Sequence, residues 1–153
     1  EAILKIPWYL VGAIHGLESS FNWSTCLHNG DPLDKKTVHV PKGLGPFGSW
    51  KEGAIDALVR ADAHKETDWS VESCLQFAEK YNGLGYLKKY PKHLSPYLWA
   101  TTTIQTPGKY VADGKFDPEA LSNQVGVAAV IKVLSREGYI APSFVCSGLL
   151  RKG

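Results

Sequence analysis

The chain has 153 residues, 44% of them hydrophobic and 21% charged, with 17 basic against 15 acidic side chains and a formal net charge of +2. That length suits a single domain over residues 1–153 that buries roughly 70% of its unfolded surface, and the composition is that of a globular protein. So small a charge, with basic residues scattered along the chain, argues against a nucleic-acid partner, and no apolar run approaches the ~20 residues of a membrane span.

The first residues, Glu1-Ala2-Ile3-Leu4-Lys5-Ile6, lack the basic start and cleavage site of a signal peptide. Because the chain begins without Met, removal of a leader or a preceding domain is expected. Pro7 followed by Leu10, Val11, Ile14 and Leu17 predicts a helix from Pro7 to Ser19. From Phe21 to Pro46 the signals change. Asn29-Gly30-Asp31-Pro32 is turn chemistry, Thr37-Val38-His39-Val40 is a short β-like run, and Gly43, Gly45 and Gly48 punctuate the rest, which predicts an irregular lobe with two or three short strands.

Ser49-Trp50-Lys51-Glu52 is a capping box, and Ile55, Leu58 and Val59 give one apolar face to a helix reaching about His64. Ser70 or Asp68 caps the next helix, striped by Val71, Leu75 and Ala78 and stopped at Asn82-Gly83. A short helix is expected at Ser95-Pro96, and Asp117-Pro118-Glu119 opens a last long helix closing near Gly138. The fold class is therefore α+β, predominantly α-helical, with a small β-bearing lobe. Cys26, Cys74 and Cys146 show no CxxC spacing and read as small buried apolar residues, one disulfide plus a free thiol being the alternative.

Glu18 closes the first helix on or beside its apolar face, so its carboxyl points inward or into a cleft. Burial raises a carboxyl's pKa, and a carboxyl protonated near neutral pH is the general acid of glycosidic cleavage. A plain capping or pairing role is the alternative, but a carboxylate at a helix C-terminus is poorly placed against the helix dipole. Glycan hydrolysis wants a second carboxylate, ~5 Å away for retention or ~6.5–9.5 Å for inversion. Asp31 and Asp34 lie 13 and 16 residues further on. Asp31, in a rigid turn, is the first choice; Asp34 is second, and Thr37 is a candidate water-positioning hydroxyl. With 5 Trp and 7 Tyr, the chain is well supplied with faces on which sugar rings stack. His15, Asn29, Tyr81, Asn82, Tyr97, Trp99 and Tyr110 are the candidate substrate-binding residues.

Glu18-Ser19 after a helix, then Gly43-Leu44-Gly45-Pro46-Phe47, then Ala78-Glu79-Lys80-Tyr81-Asn82-Gly83-Leu84-Gly85 resemble, in order and spacing, the lysozyme superfamily. Goose-type lysozymes and lytic transglycosylases are the nearer branches and chitosanases the more distant. The resemblance runs through about residues 7–90. It implies a lysozyme-like fold with a substrate cleft, Glu18 as general acid, Asp31 as second carboxylate, and Tyr81 and Asn82 lining the cleft. The usual Gly-Leu-Met-Gln is replaced here by Gly45-Pro46-Phe47-Gly48.

The function this implies is hydrolysis of β-1,4 bonds in an amino-sugar polymer, peptidoglycan first, with a transglycosylase or chitosanase as the alternative. The expected partner is a chitin-, chitosan- or peptidoglycan-like polysaccharide, with no cofactor and a monomeric protein. The expected location is secreted or cell-wall associated, periplasmic or phage-encoded. Two rivals remain: a metal site from His15, Glu18, His28 and His39, which lacks HExxH, and a non-catalytic glycan-binding module. A cysteine protease built on Cys26 and His28 lacks an oxyanion signature.

Overall fold

The computed structural model describes residues 4–112 and 114–141. Among these, the elements run α1 (Trp8–Ser19), α2 (Trp50–Arg60), a 3₁₀ turn (Ala63–Lys65), α3 (Val71–Asn82), α4 (Gly85–Lys89), α5 (Pro96–Trp99), β1 (Lys109–Ala112), β2 (Lys115–Asp117) and α6 (Val127–Arg136). The class is α+β with helix dominant, the strands forming one two-stranded antiparallel sheet. No helix among the described residues is long and apolar enough to cross a membrane.

The helices form where their caps and periodicity place them. Pro7 sits one position before α1 in extended conformation and its carbonyl accepts from Leu10 and Val11. Ser49 Oγ accepts from Glu52 N, while the Glu52 carboxylate turns back to Gly48 N. Ser70 caps α3 through Ser73 N, and Asp68 in turn holds Ser70. The buried face of α1 (Leu10, Ala13, Ile14) meets Leu58 of α2, Phe77 and Ala78 of α3, Leu98 of α5, and Val127 and Ile131 of α6 in one core. Cys26 and Cys74 are buried free thiols; Cys146 lies outside the described residues.

After α1 the chain reverses sharply. Ser20 and Phe21 both adopt left-handed backbone, and the Phe21 ring folds back over Gly16. The reversal is held by His15, whose ring is packed among Phe21, Trp23 and Trp50 and whose Nε2 lies 3.2 Å from the Asn22 carbonyl. The lobe that follows is docked on α2 by His28, stacked on Phe47 and bonded to Asp56 at 2.9 Å. Burial holds the His28 imidazole below its ordinary pKa, against the opposing pull of Asp56.

Three expectations are corrected. The lobe contains no strands, only an isolated bridge between Thr25 and Pro32. The Thr37–Val40 run is not a strand because Val38 N and His39 N donate to the Asp31 side chain rather than to a neighbouring chain. The sheet is formed instead by β1 and β2, where Tyr86, Tyr90 and Phe116 pack together, Tyr90 and Phe116 stacked at 3.8 Å. Finally, Asp117 belongs to β2 and α6 starts only at Val127. The segment between is irregular, tied by Gly108 N to Ala120 O, Gln105 Nε2 to Ser122 O and Gly126 N to Ala100 O.

Gly30 marks where the lobe presses on α1. Its φ is +75°, and a Cβ there would stand 2.6 Å from the Glu18 carbonyl oxygen. Gly43 has a similar φ of +80° but open space around it. Gly43→Ala is therefore expected to cost only the ~1–2 kcal/mol of left-handed strain. Gly30→Ala should cost clearly more, because backbone must move as well; urea unfolding midpoints of the two variants check the difference.

Candidate active site

Glu18 stands in the last turn of α1, four residues after the fully buried Ile14, and is itself half-buried. Its Oε1 accepts a 2.9 Å hydrogen bond from the Tyr97 hydroxyl of α5. Burial pushes the carboxyl from 4.5 up to about 7, against the smaller opposing effect of the Tyr97 hydrogen bond. Removing water disfavours the carboxylate, and one neutral donor restores only part of the lost solvation. The result is an acid poised at neutral pH.

Around it the structure gathers four of the residues singled out in the sequence. Tyr97, Asn82 and Tyr110 line one recess of about 150 Å³ with Leu17, Tyr86, Pro96, Lys109, Ser122 and Gln124. Its walls are mostly polar, and Tyr97 joins it to Glu18. Tyr81 stands close enough for the Glu18 charge to help raise its phenol pKa, after burial, and its hydroxyl donates to Leu27 O at 2.8 Å. Gln124 Nε2 donates to Leu17 O, fixing the irregular 118–126 segment against the end of α1.

The remaining candidates have other positions. His15, expected at the cleft, is corrected: it is 2% exposed inside its aromatic cage and out of a ligand's reach. Trp99 is corrected as well. Two residues after Tyr97 it lies on the opposite side of the single turn α5, in an apolar groove with Leu75 and Ile131. Asn29 spends its side chain on the lobe, donating to His39 O and accepting from Asp31 N. Thr37 is buried, its hydroxyl donating to Pro41 O and accepting from Leu44 N. Asp34 is exposed on the lobe surface.

Asp31 is buried and heavily engaged: Oδ2 accepts from Val38 N and His39 N, and Oδ1 lies 2.6 Å from His39 Nδ1. Burial pushes its carboxyl up, but these hydrogen bonds outweigh burial and hold it below the ordinary carboxylate range. Asp31 is a fixed anion, whereas Glu18 is a proton reservoir.

Several participants escaped the sequence reading. Tyr97 was expected as an aromatic platform, not as the hydrogen-bond partner of Glu18. Ser122 and Gln124 fall in the stretch whose Asp117-Pro118-Glu119 start predicts a helix, and Lys109 stands in the sequence only as the neighbour of Tyr110. Glu79 on α3 is 5% exposed, and burial raises its pKa. The Ser95 hydroxyl beside it offsets part of that effect without a well-aligned hydrogen bond to either oxygen. No three His, Cys, Asp or Glu side chains gather to hold a metal ion among the described residues.

No family model, curated protein or solved structure matches this chain.

A carboxyl whose folded pKa lies above its unfolded value stabilises the fold at low pH only. Below about pH 4.5 Glu18 is protonated in both states, and nothing is lost. As pH rises towards 7 the unfolded chain ionises while the folded one keeps its proton, so stability falls, and above 7 the loss is complete. The gap between 4.5 and about 7 corresponds to on the order of 3 kcal/mol. Glu18→Gln is therefore expected to be more stable than the parent at pH 8 by up to about that amount, with no gain at pH 4. Denaturant melts at the two pH values measure it.

Proposed function

We propose that this protein is a glycoside hydrolase of lysozyme-like fold that cleaves β-1,4 bonds in an amino-sugar polymer, peptidoglycan first, with Glu18 as general acid. The observation that carries the reading is a carboxyl held near pKa 7 by burial, bonded to a tyrosine hydroxyl, beside a polar recess flanked by tyrosines. Tyrosine faces suit the C–H faces of sugar rings, while Asn82, Ser122, Gln124 and Lys109 offer amide, hydroxyl and amine groups to hydroxyls and N-acetyl groups.

The chemistry follows from the hydrogen bond. Tyr97 donates to Oε1, so the acid proton sits on Oε2. That proton passes to the glycosidic oxygen as the C1–O bond breaks, leaving positive charge on the ring and a carboxylate on Glu18. The Tyr97 hydrogen bond then faces a full negative charge and strengthens. An interaction stronger in the transition state than in the ground state lowers the barrier. Attack by water at C1, its proton passing to the Glu18 carboxylate, completes hydrolysis and restores the acid. Attack by a hydroxyl of the same sugar, with Glu18 taking its proton back, gives the anhydro end of a lytic transglycosylase.

Two measurements test the assignment. Glu18→Gln should lower turnover of peptidoglycan by ~10²–10⁴-fold or more while the fold persists; near-full activity in that variant removes the proposal. Mass spectrometry of the products separates a hydrated end from one lighter by a water. Glycan binding without any cleavage by the parent protein would leave a binding module in place of an enzyme.

Tyr97→Phe makes a sharper test of the acid. The Tyr97 hydrogen bond favours the carboxylate, so its loss should move the alkaline limb of the kcat/KM profile upward from about pH 7. It should also cost about 10–100-fold in kcat, as expected for a hydrogen bond to a charged group. An alkaline limb that stays in place would show that Glu18 is not the titrating group.

A further inference from the structure

Glu79, in the last turn of α3, is 5% exposed, and Ser95, just before α5, is 4% exposed. The two side chains adjoin, yet neither Glu79 oxygen nor the Ser95 hydroxyl has an aligned hydrogen-bond partner among the described residues. Buried polar groups in folded proteins are as a rule paired, and a carboxyl left like this lowers stability. An apolar residue would serve the buried face of α3 better.

Both side chains line a groove of about 460 Å³ between α3, α4 and α5. Its walls are mostly apolar: Leu75 of α3, Leu84 and Leu87 at α4, and Leu98 and Trp99 of α5. Leu84 and Leu87 are exposed, Leu87 by 56%. No Lys or Arg is among the lining residues, and His93 sets its Nδ1 3.3 Å from the Pro107 carbonyl. The groove is thus an apolar trough with a carboxyl and a hydroxyl in its floor and neither Lys nor Arg to answer them. A cleft of this volume, apolar apart from a few convergent polar groups, has the character of a small-molecule site. Burial also raises the Glu79 pKa, with only partial relief from Ser95, as is common at ligand sites.

We propose that this groove binds a small organic ammonium ion, its aliphatic or aromatic body against the leucines and Trp99 and its N–H groups on Glu79 and Ser95. The unmatched atoms select that class. Three oxygens stand ready to accept, and an ammonium brings three donors and no acceptor. An alcohol brings one donor, and an anion finds no Lys or Arg among the lining residues. Charge-assisted hydrogen bonds are roughly twice as strong as neutral ones. The Glu79 oxygens are themselves shielded from water, so the ammonium meets them by a turn of the carboxyl about its terminal torsion, which is soft. The groove shares no lining residue with the recess beside Glu18, and its occupancy does not depend on the glycosidase reading.

Titrations of the full chain with n-hexylamine, n-hexanol and n-hexanoate, followed by methyl ¹H–¹³C NMR, test the site in the parent, Glu79→Gln and Leu87→Ala. Hexylamine should shift the methyls of Leu84, Leu87 and Leu98 and bind about 10-fold or more tighter than hexanol, the margin of a hydrogen bond to a charged group. Hexanoate should bind most weakly. In Glu79→Gln the preference for the amine should fall to near parity while hexanol binding persists. Leu87→Ala should weaken amine and alcohol alike and keep the preference, and Glu18→Gln should leave all three probes unchanged. Hexylamine binding no tighter than hexanol in the parent overturns the proposal. So does an undiminished preference in Glu79→Gln, or a set of shifts confined to the recess beside Glu18. If Glu79→Gln does not fold, the ranking of the three probes and the methyl shifts in the parent decide alone.

Discussion

The contact between Glu18 and Tyr97 joins residues 79 positions apart, and much of the molecule is arranged to keep it out of bulk water. Helix α1 delivers the carboxyl at its C-terminal end, where carbonyl groups converge and a negative charge is unwelcome. Removal of water acts in the same direction. Only the Tyr97 hydroxyl opposes, and the balance falls at about 7. A second strong donor would return the group to an ordinary carboxylate, and no donor at all would leave it too weak an acid to give up its proton.

Holding that balance takes elements that have no chemistry of their own. Ser20 and Phe21 turn the chain back in left-handed conformation. His15 stays inside the aromatic cage of Phe21, Trp23 and Trp50. Gly30 gives way where a side chain would strike the Glu18 carbonyl. Helix α5 is a single turn, yet the buried Leu98 and the partly buried Trp99 fix it to the core, so that Tyr97 on its other side is aimed at Glu18. The proposed acid is thus maintained at a stability cost that the shared core of α1, α2, α3, α5 and α6 offsets.

The lobe shows the same economy with a different carboxylate. Asp31 receives two backbone N–H groups and a histidine ring, doing for residues 38 and 39 what a neighbouring strand would do. Because those partners are donors, Asp31 is stabilised as an anion, while the donor-poor Glu18 is stabilised as an acid. Two carboxyl groups on one short stretch of chain therefore carry opposite protonation preferences, set by what surrounds them. Glu79 is a third case: buried with poorly aligned partners, it leans towards the neutral form.

Local signals carried much of the helical framework. The apolar spacing of α1, the Ser49 and Ser70 caps and the Ser95-Pro96 turn act over a few residues, so the sequence alone sufficed for them. It also marked Glu18 as a carboxyl on an apolar face. It misled at Thr37–Val40, where β-prone residues found an aspartate instead of a strand, and at Asp117–Glu119, where Asp117 accepts from Glu119 N as a cap would but pairs in β2, with no helix before Val127. The dipeptide Asp113-Gly114 is itself a hairpin signal in the sequence. Which aromatic would meet Glu18, that Trp99 would turn away from it, and that His15 would vanish into the core were decided only by tertiary packing. Burial and hydrogen-bond partners are properties of distant segments brought together, and no local pattern records them.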